Sequence, residues 1–326
     1  MVNPVKNTRR KYENALLNVP GVVGVATNPD KKLLLLLESK KYLNSTPDYI
    51  DSVPVRKIVV GKMRILPASK QIPNREKVRP LTGGVSISPP ELIAGTLGII
   101  TENDVMLTNA HVAAVNYRLK KMYPEHKTQI YQPGWLDGGT DKDLVGELDI
   151  YTNLKNDVPH TVDGATCDIL KGIQYKKMEV LGIGEVEGWE VPERGQVVYK
   201  SGRTTGVTKS YIVTNDATVR MGGYPWGEVI FKDCIITIPA IASEGDSGSV
   251  LVSEERHVAG LVFGGSDVAT AACRMDNVIP ELGICLGRRY KSSEPNVLME
   301  SINDTLKGVA VALIPAALLK LAPAIP

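Results

Sequence analysis

The feature that most constrains the fold is a series of short apolar runs that begins near residue 84 and continues to about residue 287. Glycine, proline, asparagine and aspartate separate these runs. The runs are Thr96–Ile100, Val105–Thr108, Val197–Lys200, Tyr211–Thr214, Glu228–Phe231, Ile235–Ile238, Val250–Val252 and Val258–Phe263. Such runs predict β-strands, and many of them with few helical stretches predict an all-β sandwich or barrel. The stretch leaves room for two small antiparallel barrels.

The residues before this series predict a small α/β unit over residues 1–78. The expected elements are a short helix at Lys11–Leu17, strands at Val22–Ala26 and Lys32–Glu38 around the turn Asn28-Pro29-Asp30, and short strands near Val55–Val60 and Met63–Leu66. Leu33–Leu37 is a run of five leucines, a composition that suits a helix. Its length and the flanking turn instead favour a strand that is buried on both faces.

The sequence divides into three predicted parts. A β-rich central domain at 79–287, with barrels at about 79–190 and 191–287, follows the α/β domain at 1–78 and precedes a helical extension at 288–326. Within the extension, Gly308–Pro326 is almost wholly apolar and approaches the ~20 residues that span a bilayer. Lys320 and three prolines interrupt or end it, which disfavours membrane insertion. We expect residues 308–326 to pack on this chain, on another copy in a homo-oligomer, or on a docked partner.

Composition limits the classes of partner and compartment. A net charge of +2 and an aromatic content of 5% give no support for nucleic-acid binding. The N-terminus lacks the apolar stretch of a secretory signal, and the cysteines are few, so a cytoplasmic location is expected. The cysteines are Cys167, Cys234, Cys273 and Cys285. They form no metal-binding motif, so we expect no metal and mostly buried reduced thiols, with one disulfide pair left open.

Two motifs in the β-rich region carry residues suited to acyl transfer. Thr108-Asn109-Ala110-His111 places a histidine after a short apolar run, and Gly245-Asp246-Ser247-Gly248 places a serine in a turn that glycine permits. A lone histidine is more often structural, and the second motif is also a good surface turn. The two motifs together, in this order and each after a predicted strand, are a much more specific signal of acyl-transfer chemistry than either motif alone.

The chemistry assigns a role to each residue of the pair. A serine hydroxyl needs a base within hydrogen-bond reach, so Ser247 is the candidate nucleophile and His111 the candidate base. The same turn can aim the backbone N–H groups of Gly245 and Ser247 at one point, which would form an oxyanion hole. The base also needs a carboxylate to hold its tautomer. Four aspartates between the motifs are open candidates from the residues alone: Asp149, Asp157, Asp163 and Asp168.

These motifs resemble the two signatures of chymotrypsin-like serine peptidases, and more closely those of the intracellular trypsin-like peptidases of bacteria and phages. The similarity covers roughly residues 15–286. It includes Arg79-Pro80, Gly83–Ile87, Ala94–Gly98, Gln132–Gly134, Asp137–Gly139, Val162–Ala165, Lys200–Gly206, Asp276–Ile279 and Leu282-Gly283. The resemblance implies a mainly β protein with a chymotrypsin-like double antiparallel β-barrel after a small α/β domain. It leaves association with a phage or virus open.

The resemblance also implies roles for particular residues. Val162–Ala165 resembles the element that carries the family's carboxylate, which selects Asp163. Ile241 would lie near the base of the specificity pocket, and Phe263-Gly264-Gly265 would form one wall, which implies an uncharged side chain before the scissile bond. The alternative is that loop lengths differ and Ile241 faces elsewhere. No Arg-Ile-Val-Gly-Gly-type activation site is present, so activation by a new N-terminal ammonium is not expected.

The resulting hypothesis is a serine endopeptidase that cleaves protein or peptide substrates through an acyl-enzyme, using His111, Asp163 and Ser247 and no cofactor. The linkers near residues 70–78 and 287–294 are candidate sites of self-cleavage. The alternative is a non-catalytic or latent peptidase-fold scaffold that binds partners through the N-terminal domain and the apolar tail. The presence of all three residues favours the enzyme.

Overall fold

The computed structural model describes residues 4–28, 30–65, 74–90, 94–123 and 128–290. All of them belong to one compact unit, Met1–Lys291. The second unit, Ser292–Pro326, lies outside the described residues, so the expectations for the tail stay predictions. No helix in the described ranges is both long enough and apolar enough to cross a membrane.

The described chain is built mainly from β-strands. The N-terminal elements are α1 (Pro4–Leu17), β1 (Val22–Asn28), β2 (Lys32–Leu37), β3 (Tyr49–Ile50) and β4 (Val53–Val59). The next are β5 (Leu81–Gly83), β6 (Val85–Ile87), β7 (Gly95–Leu97), β8 (Ile99–Ile100), β9 (Val105–Thr108), α2 (Ala110–Ala113), β10 (Val115–Asn116), β11 (Lys121–Met122), β12 (Gln129–Tyr131), β13 (Leu144–Tyr151) and β14 (Ala165–Ile169). The last are β15 (Tyr175–Val180), β16 (Gly184–Glu185), β17 (Gly188–Glu190), β18 (Val197–Gly202), β19 (Gly206–Tyr224), β20 (Gly227–Ile238), β21 (Val250–Ser253), β22 (His257–Gly265), β23 (Thr270–Arg274), α3 (Met275–Leu282) and β24 (Arg288–Tyr290).

The N-terminal part packs α1 on a small sheet whose inner strand is β2. This strand pairs antiparallel with β1 on one side and parallel with β4 on the other. Leu33–Leu37 is therefore buried on both faces, as the sequence predicted. Helix α1 begins at Pro4, seven residues before the predicted start at Lys11. Its buried face includes the charged residues Arg9 and Glu13, so a hydrophobic pattern did not mark the first turns.

The first barrel is a closed ring of antiparallel strands. Along the chain its six strand positions are β5/β6, β7/β8, β9, β12, β13 and β14. Strand β9 pairs with β8 and β14, and β13 pairs with β14 and β12. Strand β6 pairs with β7, and an antiparallel bridge from Ser88 to Tyr131 closes the ring.

The second barrel repeats this strand order. Strand β19 pairs with β18 and β20, β23 pairs with β20 and β22, and β21 joins β22 to β18. If the six positions of each barrel are numbered along the chain, both rings have the order 1-2-3-6-5-4. Closure of the rings removes the unpaired edges of open sheets. The predicted double antiparallel β-barrel is confirmed.

Two predicted runs belong to a single strand of the second barrel. Glu228–Phe231 and Ile235–Ile238 are both parts of β20, which pairs with the 19-residue strand β19. The break in the apolar pattern falls at Lys232-Asp233, where Asp233 has a left-handed φ of 54° and the register shifts by a bulge. A bulge disturbs the alternation without ending the strand.

The N-terminal sheet continues into the second barrel. Strand β1 pairs antiparallel with β19, with Gly24 opposite Val219. A Cβ on Gly24 would lie 3.1 Å from the carbonyl oxygen of Thr218 in β19, so glycine permits the close approach of these strands. The predicted domain boundary near residue 78 stays a prediction, because the described residues on both sides of it belong to one compact unit.

Candidate active site

Strand pairing places His111 and Asp163 at the same end of the first barrel. Strand β9 ends at Thr108, which pairs antiparallel with Ala165 at the start of β14. In an antiparallel pair, residues that follow one strand lie beside residues that precede the other. His111, in the one-turn helix α2, therefore meets Asp163, which comes just before β14.

His111 and Asp163 form a buried pair. The Nδ1 of His111 lies 2.6 Å from Oδ2 of Asp163, and the backbone N–H of His111 donates to Oδ1 at 3.0 Å. The two residues are 1% and 0% exposed. A carboxylate bound to Nδ1–H holds the imidazole in the tautomer whose Nε2 can accept a proton. This is the arrangement that a general base requires.

Further polar contacts hold the Asp163 carboxylate and its backbone. The hydroxyl of Tyr224 donates to Oδ2 of Asp163 at 2.7 Å, and the amide of Asn109 donates to its carbonyl at 2.6 Å. The backbone N–H of Asp163 donates to Sγ of Cys273 at 3.2 Å. Tyr224 was not among the predicted residues, because it lies 61 positions from Asp163 and belongs to no motif.

The Asp163 carboxylate is ionised in this setting. Burial alone would raise the pKa of this carboxyl, but the charge of His111 and the hydrogen bonds from His111 and Tyr224 outweigh it. Together they hold the pKa of Asp163 below its ordinary value. Burial and the neighbouring carboxylate raise the pKa of the Tyr224 phenol well above its ordinary value, so Tyr224 stays a donor.

The other candidate aspartates lie elsewhere. Asp168 is exposed on β14, opposite Val105 and Glu147 in the neighbouring strands. Asp149 accepts a hydrogen bond from the hydroxyl of Thr166, and Asp157 is exposed in the loop before β14. Of the four candidates, the structure brings Asp163 to His111.

The serine turn docks the second barrel onto the first. The carbonyl of Ser247 accepts the N–H of Thr96 at 2.8 Å. Gly248 has a φ of 97°, and a Cβ there would lie 2.1 Å from the carbonyl oxygen of Thr96 and 2.4 Å from Oγ1 of Thr108. A side chain at this position would push the turn away. Because Thr108 lies three residues before His111, this close approach places the Ser247 turn against the end of the strand that leads to His111.

The carboxylate of Asp246 anchors the Ser247 turn to the neighbouring backbone. Its carboxylate accepts backbone N–H groups from Ser243 at 2.9 Å and Thr204 at 2.8 Å. The Nζ of Lys200 lies 3.3 Å from Oδ2 of Asp246, and both side chains are fully buried. Burial lowers the pKa of Lys200, while the Asp246 carboxylate acts in the opposite direction. The donors of the Lys200–Gly206 motif are thus used inside the protein.

Gly245 is packed against a second buried ion pair. The guanidinium of Arg203 binds the Asp137 carboxylate with two bonds of 2.6 Å. A Cβ on Gly245, whose φ is 94°, would lie 2.6 Å from a guanidinium nitrogen of Arg203. Since Asp137 comes from the first barrel and Arg203 from the second, this bidentate pair ties both barrels to the turn.

Two N–H groups of the turn are left for a ligand. The N–H of Asp246 donates to Ser243 and that of Gly248 donates to Val262, both at 2.9 Å. Within the described chain, neither the N–H of Gly245 nor that of Ser247 has an acceptor. These are the two groups that the sequence predicted as the oxyanion hole.

The structure shows no hydrogen bond between Ser247 and His111, the residues predicted as nucleophile and base, within the described chain. Oγ of Ser247 lies 3.5 Å from the carbonyl oxygen of Phe263, and the described part of the chain has no hydrogen bond from this hydroxyl to His111. Bonds of this kind are often long without substrate and shorten when substrate binds. The structure therefore brings His111 to Asp163 and leaves the Ser247 hydroxyl on the carbonyl of Phe263.

Ile241 and Phe263, two of the residues predicted for the specificity pocket, both have buried side chains. Ile241 is buried in the core of the second barrel with Val198 and Leu251, and the ring of Phe263 packs on that of Phe231 with centroids 4.7 Å apart. Gly264 and Gly265 end strand β22, and Gly265 pairs with Arg64. The preference for an uncharged side chain before the scissile bond remains a prediction.

No cluster of three or more His, Cys, Asp or Glu side chains among the described residues could hold a metal ion. Cys167, Cys234 and Cys273 are buried and Cys285 is exposed, all as free thiols.

Comparison with known proteins yields structural matches only. No protein-family model and no curated protein matches the chain. The chain is similar to a Cellulomonas bogoriensis chymotrypsin, at 19% identity over 63% of this chain and 97% of that chain, with a TM-score of 0.46. It is also similar to the Nocardiopsis protease NAPase, at 19% identity over 64% of this chain and 98% of that chain, with a TM-score of 0.47. A third match is Thermobifida fusca protease A, at 18% identity over 63% of this chain and 97% of that chain, with a TM-score of 0.45. The double barrel is defined by its own strand pairings, and matches with TM-scores below 0.5 add nothing on activity.

Proposed function

We propose that the protein is a serine endopeptidase that uses His111 as general base, Asp163 as its orienting carboxylate and Ser247 as nucleophile. The observation that carries this proposal is the buried pair of His111 and Asp163, joined at 2.6 Å. The Ser247 turn packs against Thr108, at the end of the strand that leads to His111. A buried ionised carboxylate on Nδ1 of a histidine is a costly arrangement that suits proton transfer at Nε2.

Acylation begins when Oγ of Ser247 attacks the carbonyl carbon of the scissile peptide bond. Nε2 of His111 takes the hydroxyl proton, and the carbonyl oxygen becomes an oxyanion. The N–H groups of Gly245 and Ser247, which have no acceptor in the described chain, would bind this oxyanion. Asp163 stays ionised and stabilises the imidazolium.

Collapse of the tetrahedral intermediate breaks the C–N bond. His111 returns its proton to the leaving amine, and the acyl group stays on Ser247 as an ester. Water then attacks this ester with His111 again as base, which releases the carboxylic acid and restores the hydroxyl. Only the residues named here are needed for these steps.

The anchoring of Asp246 supports a turn that needs no newly formed N-terminus. Lys200 supplies a buried ammonium to this carboxylate, and the backbone N–H groups of Ser243, Thr204 and Thr205 satisfy its remaining lone pairs. We therefore expect the oxyanion turn to be ordered in the unprocessed chain.

Cleavage of a peptide library tests this function. The unaltered protein should cleave extended peptides, and Ser247→Ala should abolish turnover. Ser249→Ala is the matched control, because the Ser249 hydroxyl donates to the carbonyl of Asp246 at 2.6 Å within the turn. It should keep at least about a tenth of the activity, which corresponds to one hydrogen bond.

A second pair of variants tests the carboxylate. Asp163→Asn should lower kcat about 10³- to 10⁴-fold, because an amide cannot hold the required tautomer. Asp168→Asn changes an exposed residue and should leave kcat within about twofold. If the folded protein and all of its variants cleave no peptide under any condition, the scaffold alternative would be favoured.

A further inference from the structure

A segment of this chain around Arg64 lies between the ends of β19 and β22. The N–H of Arg64 donates to the carbonyl of Gly265 at 3.0 Å, and the N–H of Gly265 donates to the carbonyl of Arg64 at 2.8 Å. On the other side, the N–H of Ile65 donates to Gly222 at 3.0 Å, and that of Gly222 donates to Met63 at 3.3 Å. The backbone around Arg64 is therefore paired on both edges. The predicted strand at Met63–Leu66 is reduced to this bridge, and residue 66 lies outside the described residues.

The walls that receive this segment are glycines. We call the space between Gly222-Gly223 and Gly264-Gly265 the slot. A Cβ on Gly264 would lie 2.8 Å from the carbonyl oxygen of Arg64, and a Cβ on Gly223 would lie 2.4 Å from Cγ1 of Ile65. Side chains at these positions would close the slot, so its glycines admit an extended backbone.

The slot leads to the nucleophile. Arg64 pairs antiparallel with Gly265, so a strand that continues in this register passes Gly264 and then Phe263. The carbonyl of Phe263 is the group that contacts Oγ of Ser247. A chain bound in the slot therefore runs in its N-to-C direction toward Phe263, the residue that contacts the Ser247 hydroxyl. The opposite wall ends at Tyr224, which holds Asp163.

The side chains in the slot alternate as in a strand with one buried face. Met63 and Ile65 are 1% and 6% exposed, while Arg64 between them is exposed. Upstream, the hydroxyl of Ser266 donates to the carbonyl of Val60. The ligand class that fits is an extended peptide with apolar side chains at alternate positions, bound by β-strand addition.

We propose that the slot is the peptide-binding groove of the protein and that Val60–Ile65 is its built-in occupant, which competes with substrate. This proposal rests on the proposed peptidase function for its consequence, but peptide binding itself can be measured without turnover. A tethered segment competes at an effective concentration in the millimolar range, so it would weaken the binding of a free peptide without any contact to the catalytic residues.

Peptide binding in a Ser247→Ala background tests the occupant. The probe is a fluorescent hexapeptide of the sequence Val-Gly-Lys-Met-Arg-Ile, and the readout is anisotropy. Arg64→Pro removes the N–H that donates to Gly265, whereas Arg64→Ala keeps the backbone and loses only the exposed side chain. We expect the Pro variant to bind the probe at least about tenfold more tightly than the Ala variant.

A second pair of variants guards against a folding defect in the first. Ile65→Asp removes the buried side chain next to Gly223, and Lys62→Asp makes the same change at an exposed position. The first should bind the hexapeptide more tightly and the second should match the unaltered background. Equal binding across both pairs, in proteins with unchanged circular dichroism, overturns the proposal, as does an absence of binding by every variant.

The active protein adds a kinetic readout. With Ser247 intact, Arg64→Pro should lower KM for a short chromogenic peptide about tenfold at constant kcat, and Arg64→Ala should change neither. A protein that binds the hexapeptide in the Pro variant but turns over nothing would keep the slot and reject the peptidase function. Turnover with an identical KM in all variants would keep the peptidase function and reject the slot as a groove occupied by this segment.

Discussion

Tyr224 supplies a hydroxyl where the carboxylate of Asp163 needs a further donor. Oδ2 of Asp163 receives both Nδ1–H of His111 and this hydroxyl, and the two rings meet edge to face at 6.1 Å. A buried carboxylate that loses one donor keeps the desolvation penalty of the unpaired lone pair. Tyr224 is therefore a positioning residue, which acts on the reaction through Asp163.

Removal of this hydroxyl should affect kcat more than KM. We expect Tyr224→Phe to lower kcat about tenfold at nearly constant KM, which corresponds to a loss of about 1.4 kcal/mol. Tyr117→Phe is the control, because the Tyr117 hydroxyl is buried without a hydrogen-bond partner in the described chain. Equal effects of both variants would assign Tyr224 a merely structural part.

Glu190 gives the molecule a pH-dependent stability at a distance from the cleft. Burial raises the pKa of this carboxyl to about 7, although hydrogen bonds from Ser253 and Gln196 oppose the change. A carboxyl with a raised pKa binds its proton more tightly in the folded state. Its contribution to stability is therefore complete below about pH 4.5 and is lost as the pH rises through about 7.

Glu190→Gln should remove this dependence. At about pH 8 the variant should be more stable than the unaltered protein by about 1–2 kcal/mol, after allowance for solvent screening. At about pH 4 the two should unfold alike. Urea midpoints at both pH values measure the difference, and a variant that is less stable at the higher pH would contradict the assignment.

At the scale of elements, the Ser247 turn depends on β18, the first strand of the second barrel. Lys200 near the end of β18 and Asp246 in the turn are both fully buried and 3.3 Å apart. Removal of one partner leaves a buried charge with incomplete compensation, which typically costs about 3–5 kcal/mol. The three backbone donors on Asp246 place this case toward the lower value.

The coupling can be measured with a double-mutant cycle in urea. Lys200→Met should destabilise the protein by about 3 kcal/mol, and Lys200→Met with Asp246→Asn should recover part of that loss. Lys209→Met, which alters a half-exposed lysine 3.7 Å from Glu254, should cost less than about 1 kcal/mol. An equal loss of unfolding free energy at both lysines would show that the buried pair stabilises the protein no more than the exposed pair.

Local patterns were enough to choose the motifs and to predict most strands of the second barrel, but in the first barrel they predicted only β7, β8 and β9. Val105–Thr108 is predicted residue for residue, because a short apolar run between turn residues has few other solutions. The continuous strand β20 was divided in two by the polar pair at its bulge. The resemblance selected Asp163, whose contact with His111 depends on the pairing of β9 with β14 and could not be derived from spacing.

The residues that prediction missed share a long-range origin. Tyr224 reaches Asp163 from the far end of β19. Of the two glycine pairs of the slot, Gly264-Gly265 was predicted as a pocket wall, whereas Gly222-Gly223 was missed. Glycines beside a cleft have no distinguishing pattern in a sequence that contains 30 of them. Contacts of this kind become visible only when the strand order is known.

At the scale of the whole molecule, the N-terminal part and the second barrel share a sheet. Strand β1 pairs with β19, and Arg9 of α1 lies 3.1 Å from Asp216 while Glu13 accepts the Thr218 hydroxyl at 2.8 Å. Charged groups buried at such a junction are stabilised only when both sides are present. The N-terminal part is therefore expected to unfold together with the barrel.

Deletion of residues 1–59 tests this dependence. The deletion exposes the edge of β19 and leaves Asp216 without Arg9, so the truncated protein should aggregate or melt at least about 10 °C lower. The unaltered protein should unfold in one transition by circular dichroism. Two separate transitions, or a truncated protein with an unchanged Tm, would show that the parts are energetically independent.

The nucleophilicity of Ser247 is the central claim, and a fluorophosphonate probe measures it most directly. The probe is small, reacts with activated serine hydroxyls and is mapped by mass spectrometry of the intact, folded chain. We expect a single adduct at Ser247 that disappears in Ser247→Ala and falls at least about a hundredfold in His111→Ala. An adduct that forms equally well without His111, or no adduct at Ser247 in a folded sample, would contradict the proposed mechanism.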